Sequence, residues 1–252
     1  MINSVDVIIL AGSRNDGPLK SCVSTEYEAL IPIGGKTMVE HVVGALKQTG
    51  RVKRIVIAGP PQELVRLFGD EGEYISIVPN GATIDENVSL GLEFLNEKGW
   101  VLAVSSDIPL LTPEAVNDFL DRCTEDADFY YPVVTKDSVV KTFGEIKRTY
   151  IKVCDGTFTG GNIFLFKSEI AKVCLEKGRE LISLRKSPFK LARVLGLGFL
   201  LKFLTGSLKI SDAEKVVSSL LKAEGRAVIT EFPEIGVDVD KPADLMVISS
   251  KM

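Results

Sequence analysis

The chain has 252 residues, 45% apolar and 25% charged, which is ordinary globular usage and excludes a disordered chain or a disulfide-stapled miniprotein. Its 30 basic and 34 acidic residues leave a net charge of −4, so there is no general nucleic-acid footprint. The one histidine, His41, excludes HExxH proteases and multi-histidine metal centres, and the scattered Cys22, Cys123, Cys154 and Cys174 form no CxxC pair; a metal here takes oxygen ligands, as Mg²⁺ does.

The N-terminus lacks a basic leader, and the apolar run 7–11 is too short for a signal peptide. Residues 5–10 predict a buried strand closed by Ala11-Gly12, followed by a polar loop to about Glu28. A helical apolar face over 37–48 precedes a strand over 54–58. A short helix over 62–68, a strand over 74–78, a helix over 84–96 and a strand over 100–105 come next. Thr112 caps and Pro113 opens another helix. This alternation predicts βαβ units on a parallel sheet.

The second half changes character. Residues 128–134, 150–153 and 162–166 predict strands without full helices between them, as antiparallel additions at a sheet edge. Residues 168–224 read as helical, with Ser211-Asp212-Ala213-Glu214 as the capping box of the last helix. A strand over 226–231 follows, and Asp240-Lys241-Pro242 starts a terminal helix. The apolar stretch 191–204 is interrupted by Arg193 and Lys202 and falls short of the ~20 residues of a membrane span, so no transmembrane segment and a cytoplasmic location are expected. The expected fold is α/β. It is a Rossmann-like three-layer domain over 1–252, with a mostly parallel twisted sheet, antiparallel additions and a helical insertion over 168–224.

Three places carry candidate chemistry. In the loop Leu10-Ala11-Gly12-Ser13-Arg14-Asn15-Asp16-Gly17-Pro18-Leu19-Lys20, small residues after a buried strand let backbone N–H groups approach a ligand. Arg14 and Lys20 suit phosphate oxygens, although the stretch also reads as a plain surface loop. Asp107 follows a central strand, where a carboxylate can hold a divalent ion or simply bond its own turn. Asp238 and Asp240 alternate along an extended segment and so share a face, and Asp240 also reads as a helix N-cap.

In joint order these places resemble the MobA-like nucleotidyltransferases of the GT-A-type superfamily. The likeness rests on Val7-Ile8-Ile9-Leu10-Ala11-Gly12, on Ala29-Leu30-Ile31-Pro32-Ile33-Gly34-Gly35-Lys36 with His41, on Asp107-Ile108-Pro109-Leu110-Leu111-Thr112-Pro113, and on Val239-Asp240-Lys241-Pro242-Ala243-Asp244-Leu245. The resemblance implies transfer of NMP from an NTP to a small phosphorylated acceptor, with Mg²⁺ and release of pyrophosphate. It implies that Asp107 and Asp240, or Asp238 in its place, hold the metal, and that Arg14 and Lys20 neutralise the triphosphate. It further implies that Leu10, Ala11, Gly12, Ser13, Gly81, Asn87 and Ser89 bind the nucleotide. Thr159, Gly160, Gly161 and Asn162 would face the acceptor, or form a tight turn.

Two departures stand out. Arg14 comes earlier in its loop than the family's arginine, and Glu28 occupies the place of a phosphate-binding lysine. A carboxylate repels a triphosphate, so Glu28 is expected to point away from the nucleotide or to pair with Arg14, Lys20 or Lys36. The residues leave other activities open. A nucleotide-sugar glycosyltransferase is disfavoured by the lone Asp107 where a DxD is usual, and a non-catalytic nucleotide-binding protein is favoured by Glu28. The segment 185–209 carries Arg185, Lys186, Lys190, Arg193, Lys202 and Lys209 without an acidic residue. It suits a dimer surface, a membrane surface, an acceptor lid or an apolar helix packed on the domain.

Overall fold

The computed structural model describes residues 2–124, 126–184 and 194–252. Its strands are β1 (Val5–Leu10), β2 (Pro32–Ile33), β3 (Lys36–Thr37), β4 (Val52–Gly59), β5 (Ile75–Pro79) and β6 (Trp100–Ser105), then β7 (Phe129–Thr135), β8 (Ile151–Val153), β9 (Gly156–Gly160), β10 (Ile163–Lys167) and β11 (Gly225–Thr230). Its helices are α1 (Met38–Gln48), α2 (Pro61–Phe68), α3 (Ile84–Leu95), α4 (Pro113–Arg122), α5 (Lys136–Phe143), α6 (Ala171–Leu184), α7 (Leu197–Leu204), α8 (Ile210–Leu221) and α9 (Pro242–Ser249).

Strand β1 is apolar at five of its six positions because both of its faces are buried. Its one charge, Asp6, accepts from Arg54 of β4 at 3.1 Å. The order β5-β4-β1-β6 is parallel throughout. Strand β10 then runs antiparallel between β6 and β7, and β11 lies parallel along the other edge of β7. The outer half of β7 pairs with β9, which pairs with β8.

Alternate residues of the sheet serve two cores. Val7 and Ile9 pack with Val42, Leu46, Val116 and Phe119 of α1 and α4. Ile8 packs with Val88 and Leu95 of α3, in a cluster that also takes Ala171 of α6 and Leu221 of α8. The sheet is thus sandwiched between helices, the Rossmann-like α/β arrangement the sequence predicts. Among the described residues no helix is long and apolar enough to cross a membrane.

The expected cap of α4 holds: Thr112 Oγ1 accepts from the Ala115 N–H at 3.2 Å. Helix α1 also has a capping box, formed by Thr37 and Glu40. Other expectations are corrected. Helix α5 lies between β7 and β8, where no full helix was expected; with only Val139 and Phe143 buried, its apolar signal is one turn long. Residues Gly156–Gly160 form a strand that was not expected, and Gly161-Asn162 is the short connection to β10. Helix α8 begins two residues early: Asp212 accepts from the Lys209 N–H at 3.1 Å, Ser211 lies inside the first turn, and Glu214 accepts from the Ala227 N–H of β11 at 2.8 Å. Asp240 does not cap α9, whose cap residue is Lys241. The cationic positions Arg185, Lys186, Lys190 and Arg193 lie outside the described residues.

Candidate functional site

Leu10 and Ser105 are partners in register at the carboxyl ends of β1 and β6, the edge where open α/β sheets bind ligands. Beyond them the Ser106 N–H donates to the Leu10 carbonyl at 3.3 Å, which sets the turn bearing Asp107 against the first loop. The Val239 N–H donates to the Asp107 carbonyl at 2.9 Å. Because Val239 sits between Asp238 and Asp240 in an extended segment, that one bond swings both carboxylates toward Asp107. All three offer oxygens within 4.8 Å of one another.

Such a cluster resists ionisation. Burial pushes the Asp107 carboxyl up to about 7, against a lowering hydrogen bond that Ser105 Oγ donates at 2.5 Å, and the charges of Asp238 and Asp240 push it further. Burial also raises Asp238, offset in part by Arg148. Oxygen donors that cannot comfortably share their charge suit a hard divalent ion.

Arg148 is the residue that sequence reasoning missed. Its side chain is 7% exposed; Nη1 donates to Asp238 Oδ1 at 2.5 Å and Nη2 to the Asp238 carbonyl. Asp240 and Asp244 lie 4.0 and 3.9 Å from its guanidinium, and its Nε is buried without a partner. No motif surrounds it in the chain. Only the fold brings the segment before β8 across to Asp238, 90 residues later.

The first loop is held by Asn15, whose Nδ2 donates to the carbonyls of Val23 and Thr25 at 2.8 and 3.0 Å. Gly12 packs against α3: a Cβ there would sit 2.7 Å from Asn80 Cβ and 3.2 Å from Asn87 Nδ2. Asn87 Oδ1 in turn accepts from the Gly81 N–H at 2.6 Å, so Gly12, Gly81 and Asn87 share one corner. Ser89 is turned into its own helix, donating to the Asp85 carbonyl at 2.8 Å. Arg14 pairs with Glu26 at 2.5 Å and lies over the Tyr27 ring, while Lys20 is exposed with no ion pair among the described residues.

Glu28 makes none of the ion pairs expected as one of its two alternatives. Among the described residues it pairs with none of Arg14, Lys20 or Lys36. Its N–H donates to the Ser13 carbonyl of the first loop at 3.0 Å, and burial raises its pKa, with the charges of Asp240, Asp16 and Asp238 raising it further. His41 is structural, its Nε2 lying 2.9 Å from the Ile33 carbonyl.

On the other side, Thr159 and Gly160 end β9. The Gly161 N–H donates to the Pro132 carbonyl at 3.0 Å, and Asn162 joins two elements: it donates to the Ile235 carbonyl at 2.8 Å and accepts from the Ser105 N–H at 2.9 Å. The two glycines admit the chain's own atoms, since a Cβ on Gly161 would strike Pro132 Cγ at 2.6 Å and one on Gly160 would collide with the Tyr131 hydroxyl.

Comparison with known proteins places the chain in a family. Residues 7–181 match the profile of the MobA-like NTP transferase domain. The bifunctional protein GlmU of Geobacillus sp. (strain WCH70) is 34% identical over 124 residues, 48% of this chain and 26% of that protein. The 2-C-methyl-D-erythritol 4-phosphate cytidylyltransferase of Klebsiella pneumoniae is 35% identical over 97 residues, 37% of this chain and 40% of that enzyme. The matches therefore span well under two thirds of these relatives. A solved hypothetical transferase from Thermus thermophilus superposes with a TM-score of 0.83 at 37% identity, covering 96% of this chain and 99% of its own. The 4-diphosphocytidyl-2C-methyl-D-erythritol synthase of Anaerococcus prevotii, at 12% identity and a TM-score of 0.62, shares the fold. With more than half its length matched, the chain belongs to the MobA-like NTP transferase family.

Proposed function

We propose that this protein transfers the NMP moiety of an NTP to a small phosphorylated acceptor, with Mg²⁺, and releases pyrophosphate. The observation that carries this reading is the meeting of Asp107, Asp238 and Asp240 beside the first loop at the sheet edge. Its support from relatives is the cytidylyltransferase among them, whose name includes a phosphorylated small molecule.

In this reading Asp107 and Asp240 hold the metal, and Asp238 adds its free oxygen while Arg148 fixes its orientation. When bound, the ion would neutralise the charge that gathers on the phosphates. The chain's own contribution is alignment and charge. Gly12 and Ser13 present backbone N–H groups to the triphosphate, Ala11 lines the loop with its N–H bonded to the Ala58 carbonyl at 2.8 Å, and Leu10 and Asp107 flank it. Arg14 leaves its exposed, weak pairing with Glu26 for phosphate oxygens, joined by Lys20. Gly81 and Asn87 border the nucleoside, with Ser89 supporting their helix. Thr159, Gly160, Gly161 and Asn162 form the acceptor side. An acceptor oxygen attacks the α-phosphorus in line with the departing pyrophosphate. The chain acts as one domain over 1–252, with 168–224 as a helical insertion.

Pyrophosphate release over a panel of ribonucleoside triphosphates, with and without Mg²⁺, tests this. Release that needs both the ion and a matching base is expected.

A further inference from the structure

The face of the sheet that carries α3, α6 and α8 encloses a hollow of about 670 Å³. Its floor is Phe129, Tyr131, Phe158 and Phe164. These side chains share a face because the register pairs Phe158 with Thr135 and Gly160 with Val133, an even number of residues from Phe129 and Tyr131 along β7. Its roof is Phe199 and Phe203 of α7 with Val217 of α8.

The lining is apolar yet accessible. Ile151 is 53% exposed, Phe203 47% and Tyr131 38%. Helix α7 carries Leu197, Phe199, Leu200, Leu201, Phe203 and Leu204 and fully buries none of them. A volume of this size, bounded by aromatic side chains, is that of a small-molecule site.

Two stretches of chain link the lining of the hollow to the carboxylate cluster. Thr149 lines it, and the adjacent Arg148, one Cα step of about 3.8 Å away, holds Asp238. Thr159 and Gly160 also line it, and two residues further Asn162 accepts from the Ser105 N–H, two residues before Asp107. Two of the residues that the nucleotidyl-transfer reading places on the acceptor side, Thr159 and Gly160, thus line the apolar space. A bare sugar phosphate would set most of its hydroxyls against a lining that is mainly aromatic and aliphatic, with polar groups such as Thr149, Thr159 and Glu214 in the minority.

We infer that the acceptor is an amphiphile, a phosphate monoester of an alkyl or prenyl alcohol whose chain occupies this hollow. The inference rests on the nucleotidyl-transfer reading above. An oxygen of the monoester attacks the α-phosphorus of the NTP and forms a new P–O–P linkage. The bond from the α-phosphorus to the bridging oxygen breaks, pyrophosphate leaves with that electron pair, and any proton on the attacking phosphate passes to solvent.

The test is calorimetric binding of ethyl, butyl, hexyl and octyl phosphate to the whole chain, each below its micelle concentration, alongside binding of Mg²⁺ with each NTP. A buried methylene contributes about fourfold in affinity, so a rise of about two- to fourfold per methylene is expected. Ala213→Phe fills the hollow from α8 and Phe203→Ser strips its roof at a half-exposed position that the fold tolerates. Both variants should flatten the series and leave Mg²⁺–NTP binding unchanged. A flat series in the wild type, or a rise undiminished in both variants, overturns the amphiphilic acceptor while intact Mg²⁺–NTP binding leaves nucleotidyl transfer standing. A rising series in a protein that binds no NTP overturns the acceptor role together with the nucleotidyl-transfer reading.

Discussion

Between about pH 4 and pH 7 Asp107 holds a proton that an unfolded chain would release. Its carboxyl sits at about 7 in the fold against an ordinary aspartate value of 3.8, raised first by burial and then by Asp238 and Asp240. Between those values the folded state binds more protons than the unfolded one, so metal-free stability falls as pH rises from about 4 and levels off above about 7. Asp107→Asn keeps the shape and removes the charge. In chelator its melting temperature should match the wild type near pH 4 and exceed it by several degrees at pH 8, at about 2–4 °C per kcal/mol for a chain of this size. Parallel melting curves for the two proteins across that range would contradict the carboxylate cluster. Glu28 belongs to the same field. Replacing it with lysine brings a cation toward Asp238 and Asp240. Glu28→Lys should weaken Mg²⁺ binding by roughly tenfold, about 1.4 kcal/mol, and strengthen metal-free NTP binding; unchanged Mg²⁺ affinity in calorimetry would show that Glu28 lies outside that field. Asp107, Asp238 and Asp240 were legible because each sits in a short motif with a strand or helix beside it. The surroundings of Glu28 were not, since sequence gives its charge but not its neighbours. Arg148 and Asn15 act across 90 and up to 10 residues and carry no local signature.

At the scale of elements, the longer strands and helices of the first half were read with bounds close to those observed, because each shows a clear apolar run or period, whereas the two-residue strands β2 and β3 show none. Helix α5 and strand β9 were not read either, because one buried turn and a glycine-rich strand leave almost no period to read. The capping box of α8 was placed two residues late because Asp212 and Glu214 both offer a carboxylate, and the contact of Glu214 with β11 is a tertiary fact. Helix α3 has a second constraint that only packing shows. Gly91 lets it approach β1 so closely that a Cβ would lie 2.8 Å from Ile8 Cδ1. Gly91→Ala overpacks that seam and should cost about 1–3 kcal/mol in denaturant unfolding. Because Asn87 lies one turn earlier on α3, beside Gly12, the same variant should also weaken NTP binding. Full stability in Gly91→Ala would mean that α3 can shift away from the sheet without loss.

At the scale of the whole molecule, alternation of strands and helices gave the fold class, and the joint order of the motifs gave the convergence of the first loop with Asp107 and Asp240. The apolar hollow was out of reach of any such reading. Its walls come from β7, β8, β9, β10 and β11 together with α7 and α8, and each residue alone looks like ordinary core. The sheet edge does the organising: it aligns the ends of β1 and β6, and the Asp107–Val239 bond draws the C-terminal carboxylates to them. The most direct measurement is pyrophosphate release by the wild type and by Asp107→Ala, with Mg²⁺, a panel of NTPs, and both glycerol phosphate and octyl phosphate as acceptors. Mg²⁺-dependent release with one NTP, lowered at least about 100-fold in a folded Asp107→Ala, is the expected result. Undiminished release by Asp107→Ala, or no release by the wild type with any NTP, would contradict nucleotidyl transfer at this site.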